Sequence, residues 1–162
     1  MDCKTLAELY SPGALYIAGF TQARAPHLGL LFAKDSSTGI LWHIRIDRAT
    51  SPHWKFQRRV QAIAGDMFLS SLLLVATKTR LGDKAEAKLE AAARFVEPPS
   101  NDSFGECAPW VFNVLAVLHD QGVVKLVDQG KLAMEVDTFA RQSRPYAQRD
   151  HFPNLAVSSF CH

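Results

Sequence analysis

Cys107 has the clearest chemical potential in this sequence, because Pro109 follows it by two positions. Proline fits a helix only in the first turn, where its missing N–H costs nothing, so Cys107 is expected to open a helix. Free backbone N–H groups and the positive end of the helix dipole favour thiolate over thiol there, which predicts alkylation well below about pH 8. Val111, Val114 and Leu118 recur on the stripe of Cys107, so the sulfur should face the body of the protein. A lone cysteine decides nothing, since free cysteines are among the most buried residue types. A nucleophile also needs a base.

His27 and His43 are the candidates. They flank Asp35-Ser36-Ser37-Thr38, the expected tip of a β-hairpin with arms His27–Lys34 and Gly39–Asp47. That tip sets His27 beside His43 or Ile44. Strand alternation puts Leu28, Leu30 and Phe32 on one face, and Trp42, Ile44 and Ile46 on one face of the partner strand. His27 and His43 belong to the opposite set, with Gly29, Arg45 and Asp47. Two neighbouring imidazoles can divide labour, one taking the thiol proton and the other orienting the first. A register slip of one residue would break the pair. The same three residues have the types of an open zinc site, but no ligand spacing supports one. The expectation is therefore catalysis by Cys107, His27 and His43 without metal or cofactor. Of the other histidines, His119 is expected at a helix C-terminus, against the dipole.

The elements that must position these residues fall into two halves. Strands are expected at Ala14–Phe20, in the two hairpin arms, and at Leu72–Thr79, where a helical reading stays open. Helices are expected at Asp83–Phe95 with Asp83 as N-cap, at Cys107–Gln121 stopping at Gly122, and at Val127–Gln142 with Asp128 near its start. The tail from Ser143 reads as irregular. Strands gathered before helices argue for an α+β fold, an antiparallel sheet with helices packed on it. The expectation is one domain over residues 1–162, with its core at about residues 14–142.

Composition narrows the function classes. The 18 Lys and Arg against 16 Asp and Glu leave a net charge of +2, too balanced for a nucleic-acid footprint. The densest basic patch, Lys55, Arg58 and Arg59, reads as a solvated face. The first residues show no basic stretch followed by an apolar run, so no signal peptide is expected. The longest apolar stretch, Met67–Ala76, is interrupted by Ser70 and Ser71 and falls short of a membrane span. The cysteines at 3, 107 and 161 have no C-x-x-C spacing and are expected to be thiols in a cytoplasmic protein. Cys3 and Cys161, at the chain ends, are expected to matter little.

A histidine opening a strand, a histidine on the next strand, then a cysteine opening a helix is an order with a family likeness. The stretches HLGLLF, LWHI and ECAPWVFNVL resemble the permuted papain-like fold of lecithin retinol acyltransferase, its small phospholipase and acyltransferase relatives, and some peptidases of the ubiquitin pathway. The resemblance implies His27 as base, His43 as orienting residue and Cys107 as nucleophile. It implies a hydrolase or acyltransferase working on an amide, ester or thioester through a thioester intermediate, with a small molecule or peptide as substrate. A closer likeness, over most of residues 14–125, is to an uncharacterised fungal group with that fold. It rests on the strand pair, Trp54, LLLVATKT and the CAPWV helix start, and suggests a place in fungal biosynthesis. His27 is followed by Leu28 rather than tryptophan, and the Asn-Cys-Glu-His-Phe motif of the acyltransferases is not kept. The alternative is a binding or scaffold domain that keeps the fold without the chemistry.

Overall fold

The computed structural model describes residues 5–162; Cys3 lies outside them. Six strands form one sheet: β1 (Leu15–Phe20), β2 (His27–Ala33), β3 (Thr38–Arg45), β4 (Lys55–Ala62), β5 (Leu69–Ala76) and β6 (Asn154–Val157). Their order is β4-β3-β2-β1-β5-β6, antiparallel throughout except for the β5–β6 pair. The helices are α1 (Leu6–Leu9), α2 (Lys78–Leu81), α3 (Ala85–Phe95), α4 (Cys107–Asp120) and α5 (Gln129–Gln142). The fold is α+β, with helices packed on a mostly antiparallel sheet. Among the described residues no helix is long and apolar enough to cross a membrane.

The central strands are apolar at both parities because both faces of the sheet are covered. On one face Leu15, Ile17, Leu30, Trp42 and Ile44 pack against Leu89, Trp110, Val111 and Leu115 of α3 and α4. On the other, Tyr16, Ala18, Phe20, Leu31 and Leu41 meet Tyr10, Ile63 and Leu69. The stripe of α4 is buried as its spacing requires: Val111, Val114 and Leu118 are fully enclosed. Each buried tryptophan finds an acceptor. Trp42 Nε1 donates to Glu90, and Trp110 Nε1 to the Val96 carbonyl, which locks α3 against α4 and β3. Gly122, at φ 75°, ends α4 as expected, and the Asp128 carboxylate caps α5 by accepting from the Lys131 N–H.

Several expectations need correction. The Lys55-Arg58-Arg59 segment is not merely a charged surface but strand β4, at the edge of the sheet. An edge strand carries charge to discourage further pairing, which hides its period from a hydrophobicity reading. Helix α3 starts at Ala85 after Lys84, at φ 59°, so Asp83 does not cap it. The Leu72–Thr79 run is a strand, but one lying at Leu69–Ala76. The tail is not irregular: Arg144–Tyr146 form a 3₁₀ turn and β6 lies parallel to β5. Four residues pairing with a strand some eighty positions away leave no local signature. Cys161 is correspondingly not peripheral. It is 1% exposed and bridges to Leu126.

The hairpin that carries the histidines is tighter than expected. Thr38 is the first residue of β3 rather than part of the tip, because Asp35 Oδ1 accepts from the N–H groups of both Ser37 and Thr38. The resulting register pairs Leu30 with Trp42 and Leu31 with Leu41, one residue from the expected setting. This register is the one that places His27 and His43 on the same face, offset diagonally.

Gly29 makes their approach possible. A Cβ there would stand 2.8 Å from Leu41 Cδ1 and 3.0 Å from the His43 Cβ. Gly29→Ala should therefore push His43 aside and cost about 1–3 kcal/mol of stability, read as a lower urea midpoint.

Candidate active site

The first residue of β2, the middle of β3 and the start of α4 converge at one end of the sheet. His27 Nε2 and His43 Nδ1 are 2.7 Å apart, and His43 Nε2 lies 2.7 Å from Gln57 Oε1 of β4. An amide oxygen only accepts, so His43 carries its proton on Nε2 and donates it to Gln57. His43 Nδ1 is then an acceptor, and His27 must donate to it from Nε2. That leaves His27 Nδ1 without a proton. The relay Gln57–His43–His27 thus presents a lone pair at its far end.

Sequence reasoning missed Gln57. It belongs to the edge strand that was not anticipated, opposite His43 in the β3–β4 ladder. A strand reading of Lys55–Ala62 would have put Lys55, Gln57, Arg59 and Gln61 on one face.

Cys107 opens α4 as Pro109 requires, and its side chain is 6% exposed. It belongs to the core layer between sheet and helices, whereas Leu31 and Leu41, which share the histidines' face, belong to the opposite layer. Of the two histidines only His27, the first residue of β2, lines a cavity with Cys107. A cavity of about 320 Å³ is lined by His27, Leu28, Cys107, Ala108, Phe112 and Ala140, among others. No hydrogen bond joins the Cys107 sulfur to His27; the backbone N–H groups of Leu28, Ala108 and Cys107 itself favour its ionised form.

A second cavity, of about 680 Å³, opens on the other side of His27 and is lined also by His43, Arg45, Arg59 and Asp66. Gln22, His27 and Trp54 border both spaces. Trp54 ties the loop before β4 to the loop before α4, through its N–H to the Asn101 carbonyl and its Nε1 to the Ser103 carbonyl.

The electrostatics revise one expectation. Burial pushes the Cys107 thiol up, against the opposing pull of the three N–H groups, so the resting sulfur is protonated rather than a thiolate. Burial also drives His27 down to about 3, helped by His43, Arg59 and Arg45. His43 falls to about 4 through burial, which the Gln57 hydrogen bond opposes and the same arginines reinforce. At neutral pH the three groups are a thiol and two uncharged imidazoles.

The first turn of α4 is also informative. Glu106 makes no side-chain cap and Pro109 has no N–H, so the N–H groups of Cys107 and Ala108 form the uncapped helix entrance beside the sulfur. Among the described residues, no group of three or more His, Cys, Asp or Glu is arranged to hold a metal ion. No family model, curated protein or solved structure matches the chain.

Proposed function

We propose that this protein is a cysteine-dependent hydrolase or acyltransferase in which Cys107 is the nucleophile, His27 the general base and His43 the orienting residue. One observation carries the reading: the Gln57–His43–His27 relay leaves His27 Nδ1 unprotonated, and His27 and Cys107 line one cavity. The likeness of the stretches HLGLLF, LWHI and ECAPWVFNVL to the permuted papain-like fold agrees with these roles.

In the first half-reaction, the Cys107 S–H proton passes to His27 Nδ1 as sulfur bonds to the carbonyl carbon of an amide, ester or thioester. The oxygen gains the negative charge and takes hydrogen bonds from the N–H groups of Cys107 and Ala108. The bond to the leaving group then breaks, and His27 returns the proton to that group. In the second, water or another nucleophile gives its proton to His27 as it attacks the thioester, the C–S bond breaks, and His27 returns the proton to the departing Cys107 sulfur. Because the resting thiol is protonated, the transfer to His27 must accompany attack. A low-pKa thiolate is not available in advance.

The reading is tested by mixing the protein with a p-nitrophenyl ester. It predicts a burst of about one p-nitrophenolate per chain that Cys107→Ala eliminates. A non-catalytic binding domain has one observation in its favour, the lack of a sulfur–imidazole hydrogen bond. It predicts no burst from either protein.

A further inference from the structure

The cavity on the far side of His27 has a composition that the acyl chemistry does not use. Arg45 and Arg59 both line it, and the one carboxylate in its wall, Asp66, is already engaged by Gln61 Nε2 and the Phe68 N–H. Arg45 meets only the exposed Asp47, at 3.8 Å. Arg59 donates to the neutral Gln61 Oε1 and has no carboxylate within ion-pair distance among the described residues. Two guanidiniums thus face a space with one committed carboxylate. The cavity around Cys107, by contrast, is walled mainly by apolar groups such as Leu28, Phe104, Ala108 and Phe112.

We infer that the cavity lined by Arg45 and Arg59 binds a carboxylate or phosphate on the leaving-group or acceptor side of the substrate, while the apolar cavity takes its acyl side. This rests on the proposed acyl chemistry, which fixes the direction. The acyl group stays on Cys107, and the leaving group must reach His27, which borders both cavities, so the cavity with the arginines is the space beyond the base that is open to it. Planar guanidiniums suit oxyanions because they offer paired N–H donors. Binding an anion there has a second consequence. It offsets the two positive charges that help hold His27 and His43 neutral, so an anionic substrate makes its own base stronger as it arrives.

The test uses Cys107→Ala protein, in which no acyl transfer can occur, and reads binding by calorimetry. The probes share one acyl group: N-butanoylglycine, its neutral methylamide, and N-butanoyl aminomethylphosphonate. At least one of the acids should bind about tenfold or more tightly than the amide, and whichever is tighter tells carboxylate from phosphate. Arg45→Gln and Arg59→Gln, each added to Cys107→Ala, should each weaken that acid several-fold and leave the amide within twofold. Equal binding of acids and amide, no acid binding at millimolar concentration, or indifference to both arginine changes overturns the anion site. Loss of the p-nitrophenyl ester burst in the wild type would instead strike the thiol chemistry, so the two failures are separable.

Discussion

His27→Ala should slow acylation of Cys107 by about 10²–10⁴-fold at pH 7, the usual worth of a positioned general base. The size follows from the resting state. With the thiol pushed up by burial, almost none of it ionises unaided, so removing the acceptor at His27 Nδ1 leaves solvent hydroxide to do the work. The pH profile separates this from a structural effect. His27 is neutral well above its value of about 3, so the wild-type rate should be flat between about pH 6 and 8. In His27→Ala the rate should climb about tenfold per pH unit over the same range, as the thiolate fraction does. A variant that merely loosened the fold would lower the rate and keep the wild-type profile. Stopped-flow release of p-nitrophenolate across that range provides the comparison.

Acid should unfold the protein from a higher pH than its carboxylates alone would dictate. Both imidazoles are buried uncharged, with folded values near 3 and 4 against 6.5 for an ordinary histidine. Between those limits the unfolded chain binds more protons than the native one, so stability rises with pH there. It is fully present above about 6.5 and is lost as pH falls toward 4 and then 3. At pH 5 the solution is about 1.5 units below the unfolded value of each histidine and still above both folded values, a loss of about 2 kcal/mol per residue. The pair together forfeits about 4 kcal/mol, a large share of a typical domain's stability. Urea unfolding at pH 7.5 and pH 5 should show this difference. His43→Gln should remove about half of it, since one of the two buried imidazoles is then gone.

What could be read from the sequence, and what could not, follows from the range of each signal. Pro109 fixed Cys107 at a helix start because proline acts on its own helix turn, within a few residues. The hairpin was legible because its arms are adjacent and apolar, yet its register was not. That depended on the Asp35 carboxylate closing a three-residue tip, a hydrogen-bonding detail with no periodicity. The outcome was favourable in that the observed register, unlike one shifted by a single residue, puts His27 and His43 on one face. β4 escaped because an edge strand wears charge on both faces, and with it went Gln57, the residue that sets both histidine tautomers. β6 and the burial of Cys161 depend on pairing across most of the chain. The thiolate expectation failed for a different reason. Backbone N–H groups of Leu28, Ala108 and Cys107 do favour the thiolate, but a residue 6% exposed loses more to desolvation than they return.

In the proposed mechanism Cys107 is a protonated thiol, and His27, its base, is the end of a relay three side chains long. The most direct test is the mass of the intact protein quenched in acid within seconds of mixing with a p-nitrophenyl ester. The account predicts one added acyl group per chain, mapped by peptide sequencing to Cys107 and absent from Cys161, with its formation suppressed in His27→Ala. An unmodified protein, an acyl group on another residue, or equal labelling of wild type and His27→Ala would contradict it.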